Sequence, residues 1–174
     1  MSAIPVTPTP TAPAPARRPG VLTAAIGVIV VTALAAVANG VLIATGGADL
    51  IKDVLVQAGL PAGISDADLE LAAQIAGYST LDELVDTFAM RGYLALGGGV
   101  ALLLFGVLMR GAAKWARVLV TVSAALTIVF SMVVLGDETT TAMAGLAMLS
   151  TLGSVVAIVL TWLPANGRYA KATA

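Results

Sequence analysis

Ser123, Thr127 and Ser131 recur every fourth residue in an otherwise apolar stretch, and Ser150 and Ser154 repeat that spacing further along the chain. On a helix such a spacing places the hydroxyls on one face. A hydroxyl becomes a nucleophile only beside a base, and the chain contains neither His nor Cys, while no Lys lies within these stretches. The same composition removes zinc or haem ligation through those residues, thiol chemistry, disulfides and histidine acid–base work. Asp66-x-Asp68-x-Glu70 has the alternation of a calcium loop. An EF-hand needs Gly at its sixth position and a bidentate Glu at its twelfth, where this segment has Leu71 and Gly77. These acids read more simply as first-turn charges that complement a helix dipole. Gly97-Gly98-Gly99 lies inside an apolar stretch and not between a strand and a helix, so it is no phosphate cradle. The chain is expected not to be an enzyme, and no cofactor or metal is expected.

What remains is packing. Ser123, Thr127, Ser131, Ser150 and Ser154 can hydrogen-bond between helices, and Asn39 interrupts the first apolar stretch. Ala95-x-x-x-Gly99 and Gly97-x-x-x-Ala101 pair small residues one helical turn apart, the spacing that lets helices approach closely. The same set could instead line a solute path. Helix–helix contact is the favoured reading, because hydroxyls also bond to their own backbone.

The elements that carry these residues belong to a bilayer. Of 174 residues, 59% are hydrophobic and 11% charged, against about 45–50% and about 25% in soluble domains. Four apolar stretches, 21–44, 93–109, 115–135 and 142–163, approach or reach the roughly 17–25 residues that cross a hydrocarbon core. The second is short, and its helix is expected to begin further back. The predicted fold is all-α: a polytopic membrane protein of four transmembrane helices, with a small amphipathic helical extracytoplasmic cap between spans one and two.

Charge orients it. Seven of the nine basic residues flank one side of the spans: Arg17 and Arg18, then Arg110, Lys114 and Arg117, then Arg168 and Lys171. All ten acidic residues lie in the 45–92 and 136–141 connections. The positive-inside rule then puts both termini and the basic 110–114 loop in the cytoplasm, in a plasma (inner) membrane. Residues 1–20 hold six of the eight prolines and read as a disordered cytoplasmic tail; residues 164–174 form a basic tail. Ala36-Val37-Ala38 would suit a leader cleavage site, but the 24-residue stretch has the length of a retained span.

The 45–92 connection is acidic and patterned. Asp49–Ala58, Asp66–Ala76 and a segment opened by Thr80-x-x-Glu83 each place apolar residues on one helical face. Such faces must be covered by the other two helices, the membrane surface or a partner protein. Their acidic polar faces disfavour anionic lipid, and a small helical cap over the outer ends of the bundle is the favoured reading.

Arg91, Trp115, Arg117, Trp162 and Tyr169 sit at span ends, where aromatic and long basic side chains anchor at the membrane interface. Gly111-Ala112-Ala113-Lys114-Trp115-Ala116-Arg117 and Trp162-Leu163-Pro164-Ala165-Asn166-Gly167-Arg168-Tyr169, with the Ala/Val/Gly/Leu-rich spans, resemble small four-span integral membrane proteins of actinobacterial type. That resemblance covers the last 70 or so residues and implies a bacterial membrane protein without implying an activity. The expected role is a structural or accessory subunit whose partners are the lipid bilayer and another membrane protein or further copies of itself. Neither nucleic acid nor a small-molecule substrate is indicated. The alternative is a small oligomeric channel or transporter subunit.

Overall fold

Ala, Val, Leu and Ile dominate from Gly20 to Thr45 without a proline or a charge, and the segment forms one helix, α1. Gly46 and Gly47 turn the chain; Gly47 takes a φ of 55°, a left-handed conformation open to glycine without steric cost. There follow α2 (Gly47–Gln57), α3 (Asp66–Ile75), α4 (Leu81–Leu108) with a 3₁₀ turn at Met109–Gly111, α5 (Lys114–Gly136), α6 (Thr141–Thr161) and α7 (Pro164–Ala172). The computed structural model describes residues 18–111, 113–137 and 139–172. The proline-rich segment 1–17, Ala112 of the basic loop, Glu138 of the short acidic loop and residues 173–174 lie outside the described residues. No strand occurs among the described residues.

Among the described residues, four helices are long and apolar enough to cross a membrane: α1, α4 with its 3₁₀ turn, α5 and α6. They pack in a ring, α1 beside α4 and α6, and α5 beside the same two. Every neighbouring pair is antiparallel. Gly40 and Gly99 of α1 and α4 meet near Leu96 and Val37 respectively, and Met143 at the start of α6 packs on Val134 at the end of α5. The α4–α5 and α5–α6 connections are short, while α2 and α3 lie between α1 and α4, and the four long helices run up, down, up and down.

The α1–α4 contact is the most extensive. Gly92, Gly99 and Gly106 stand seven residues apart on α4, and a Cβ on any of them would collide with α1, at Ala44, Val37 and Ile29 in turn. Gly40 does the same in the opposite direction. Small residues allow the two backbones to meet where no larger side chain fits. The α1–α6 pair is tightened likewise, since a Cβ on Gly153 of α6 would strike the Thr32 side chain of α1.

Helix α4 begins well before the second apolar stretch, as the shortness of that stretch led one to expect, and runs without a break from Leu81. At about 1.5 Å per residue its 28 residues exceed a hydrocarbon thickness of about 30 Å. Its first turns therefore belong with α2 and α3. Leu69 and Ala73 of α3, Ile51 of α2 and Leu84 of α4 form a buried cluster of their own. Local chemistry sets the ends of these short helices. Ser65 caps α3, its hydroxyl accepting from the Asp68 N–H while the Asp68 carboxylate accepts from the Ser65 N–H. Gly59 and Gly77 follow α2 and α3 in the left-handed conformation, and the next N–H, of Leu60 or Tyr78, returns to Leu55 or Ala73. At Thr80 only half of the expected capping box forms: Thr80 accepts from the Glu83 N–H, but Glu83 reaches back to the Ser79 N–H at 2.8 Å. The carboxylate of Glu70 takes the Leu81 N–H at 3.0 Å, tying α3 to the start of α4.

Candidate functional site

The interior of the bundle is rich in small and polar side chains. Thr32 and Asn39 on α1, Ser123, Thr127 and Ser131 on α5, and Ser150, Thr151, Ser154 and Thr161 on α6 are all buried. Between them lie mainly alanines, including Ala33, Ala124, Ala147 and Ala157. Large apolar side chains point the other way, among them Val31, Leu34, Leu104, Val122, Val129 and Leu152. The two hydroxyl stripes of α5 and α6 thus both face inward, as their spacing requires.

Their hydrogen bonds differ from the cross-helix bridges that the spacing suggested. Thr127 donates to the Ser123 carbonyl of its own helix at 2.9 Å. The hydroxyls of Ser150, Thr151 and Ser154 and the Asn39 Oδ1 have no protein partner. Asn39, Thr127 and Ser131 share a cavity of about 10 Å³ with Ala36, Ala95 and Phe130, room for about one water molecule. Two bonds that cross between the long helices come from residues outside the two stripes. The Trp162 Nε1–H donates to Thr121 at 2.9 Å, and Thr161 donates to the Met109 sulfur at 3.7 Å.

Gly97 and Gly99 separate. Gly99 sits in the α1 seam, whereas a Cβ on Gly97 would meet nothing within 4 Å. The i, i+4 pairs thus contribute Gly99 to the seam and not Gly97, because α4 meets α1 along a seven-residue repeat. That repeat, Gly92-x₆-Gly99-x₆-Gly106, was visible in the sequence and is the signal that would have located the seam.

The span-end residues also divide. Trp115 and Trp162 are half exposed, as interfacial aromatics are. Compared with known families, curated proteins and solved structures, the chain matches none. Its own geometry therefore carries the functional argument. Tyr169 turns inward and packs against the core cluster that contains Leu22 and Met109. Arg91 reaches Asp137 at 2.6 Å and lies 5.5 Å from the centroid of the Phe88 ring, linking α4 to the α5–α6 turn. Gln57 at the end of α2 makes a second link to the same turn, accepting from the Thr141 N–H at 2.8 Å. Arg117 is not an exposed anchor at all: it is 6% exposed and donates to the Asn166 carbonyl. Its burial follows from α7. Pro164 ends α6 but is also the first residue of α7, a position where its missing N–H costs nothing. The new helix folds Asn166 back over α5, and Asn166 donates to the Leu160 carbonyl at 2.9 Å.

The three acids of Asp66-x-Asp68-x-Glu70 are each engaged within the chain. Asp66 pairs with Lys52 at 3.1 Å, Asp68 caps Ser65 and Glu70 caps Leu81. Hydrogen bonds from the Ser65 hydroxyl and backbone N–H hold the Asp68 carboxyl below its ordinary value of 3.8. No cluster of three metal-ligating side chains occurs among the described residues.

Proposed function

We propose that this chain is a non-enzymatic, multi-pass protein of a bacterial plasma membrane, with both termini cytoplasmic, α2 and α3 on the outer side, and an accessory or structural role within a membrane complex. The observation that carries the membrane reading is the surface of the bundle. Large apolar side chains such as Val31, Leu34, Leu104, Val129 and Leu152 point outward, while serines and threonines lie buried inside with alanines and larger residues such as Leu22, Ile29 and Leu102. In water such a surface would aggregate, whereas in lipid the outward side chains are solvated and the small inward ones permit close packing. The seven-to-two split of basic residues supports the orientation.

The accessory role draws on two features. The polar interior is narrow, with room for about one water beside Asn39, so a single copy offers packing contacts in place of a path. On α3, Leu71 and Ile75 are 56% and 80% exposed outside the cluster formed by Leu69 and Ala73, an apolar strip suited to a neighbouring protein. Extraction in a mild detergent followed by mass measurement tests this. A heterologous partner in fixed ratio, lost with Ile75→Asp, is the expected result. A homo-oligomer that conducts a solute after reconstitution would replace this reading with the channel alternative.

A further inference from the structure

We propose that the basic end of the bundle holds a phosphate group, in the cavity between the first turn of α5 and helix α7. The cavity measures about 490 Å³, and Lys114, Arg117 and Lys171 line it together with Gly111 and Gly167. Arg117 is the reason to expect an anion. Its side chain is 94% buried by the 6% exposure above, its Nε has no partner, and its protein contact is the neutral Asn166 carbonyl. The ion pairs among the described residues, Lys52–Asp66 and Arg91–Asp137, lie at the opposite end. A guanidinium withdrawn from water without a counter-charge is costly, and burial of this kind is normally matched by an anion.

The surroundings repeat the demand. Lys114 is the first residue of α5 and Arg117 lies in its first turn, with no acidic residue there. Cations at a helix N-terminus oppose the dipole, so this arrangement is unfavourable until an anion sits between them. Ala113 stands at the N-cap and offers no side-chain acceptor to the first N–H groups. Those N–H groups, the Arg117 guanidinium and two ammonium groups suit a tetrahedral anion with several acceptor oxygens. A phosphate meets that description, whether free or as the headgroup of an acidic phospholipid in the adjoining leaflet.

The test uses the full chain in two settings. In nanodiscs of phosphatidylcholine with one fifth phosphatidylglycerol, native mass spectrometry reads which lipid stays bound. In zwitterionic detergent, thermal unfolding reads stabilisation by inorganic phosphate against chloride at equal ionic strength. The lipid arm rests on the membrane reading above and the detergent arm does not, so failure to insert and failure to bind are seen separately. Selective retention of phosphatidylglycerol without a phosphate response assigns the lipid source, and a phosphate response alone assigns the free anion. Lys114→Gln and Lys171→Gln, at exposed positions, should each weaken binding about fivefold, and Arg117→Gln should abolish it. Arg91→Gln, at the other end, should leave binding unchanged. The proposal fails if phosphatidylglycerol is held no better than phosphatidylcholine and phosphate stabilises no better than chloride. It fails equally if both lysine variants bind like the unaltered chain, since Arg117 would then serve only to fasten α7.

Discussion

Gly40 on α1 and Gly92 on α4 close one crossing from opposite sides: a Cβ on Gly40 would lie 2.5 Å from the Leu96 nitrogen, and one on Gly92 2.5 Å from the Ala44 nitrogen. In both directions the obstacle is backbone, which cannot rotate aside as a side chain can. Gly40→Ala or Gly92→Ala must therefore push the helices apart, at about 1–3 kcal/mol for overpacking. A gain of up to about 1 kcal/mol in helix propensity offsets part of that. Gly97→Ala meets nothing and should be neutral or slightly stabilising. Unfolding in mixed micelles would compare the three, and a Gly92→Ala protein as stable as the original would remove the seam from the account.

The Arg91–Asp137 pair joins α4 to the α5–α6 turn, but its side chains are 38% and 40% exposed. Partial exposure lets water and salt screen the attraction, so the pair is worth about 0–1 kcal/mol. A double-mutant cycle with Arg91→Gln and Asp137→Asn should give a small coupling that shrinks as salt rises. A coupling of several kcal/mol that ignores salt would mean that the pair is buried in the membrane-bound protein.

How much of this was legible beforehand depended on whether a feature needed a partner to be recognised. The apolar stretches required none, and α1, α5 and α6 begin and end within a residue or two of them. Caps built from neighbouring residues, as at Ser65, were equally local. The start of α4 was local too, since Thr80-x-x-Glu83 marks it and the second apolar stretch is too short to span alone; only the packing of Leu84 on Leu69 needed the structure. The heptad of glycines acquires meaning only against α1. Arg117 was misread as an interfacial anchor because its position near a span end fits one; its burial depends on α7, whose nine residues are too short and too polar to stand out as a helix.

Asp68 makes the end of the molecule around α3 sensitive to acid. Because its carboxyl is held below the ordinary 3.8 by the Ser65 hydroxyl and N–H, folding favours the charged form. The sign follows from linkage: the contribution is complete above the unfolded value near 4 and is lost as pH falls through the lowered folded value. Amide protection across α3, measured relative to the intrinsic exchange rate at each pH, should thus fall as pH drops below about 4. Asp68→Asn, which accepts more weakly, should raise exchange at neutral pH and flatten that acid step. An unaltered acid step in this variant would transfer the effect to another carboxylate.

The final prediction distinguishes packing from a path on α5 and α6. Ser154 is fully buried and its hydroxyl has no partner, whereas Thr127 bonds to its own helix at the Ser123 carbonyl. Removing an unpartnered buried hydroxyl relieves a desolvation penalty, so Ser154→Ala should be neutral or slightly stabilising. Thr127→Ala forfeits a bond worth about 0.6 kcal/mol, up to roughly 1.7, and should be mildly destabilising. Leucine at either position adds bulk against α1 or α4 and should cost more than alanine, about 1–3 kcal/mol. If these residues pack, the order in stability is alanine above leucine and reconstituted vesicles show no solute flux with any variant. If they line a conduit, Ser123, Thr127 and Ser131 exchanged together for alanine would leave assembly normal while changing flux. A reproducible flux abolished by that triple exchange would overturn the packing account, because hydroxyls that only fill space have no solute to coordinate.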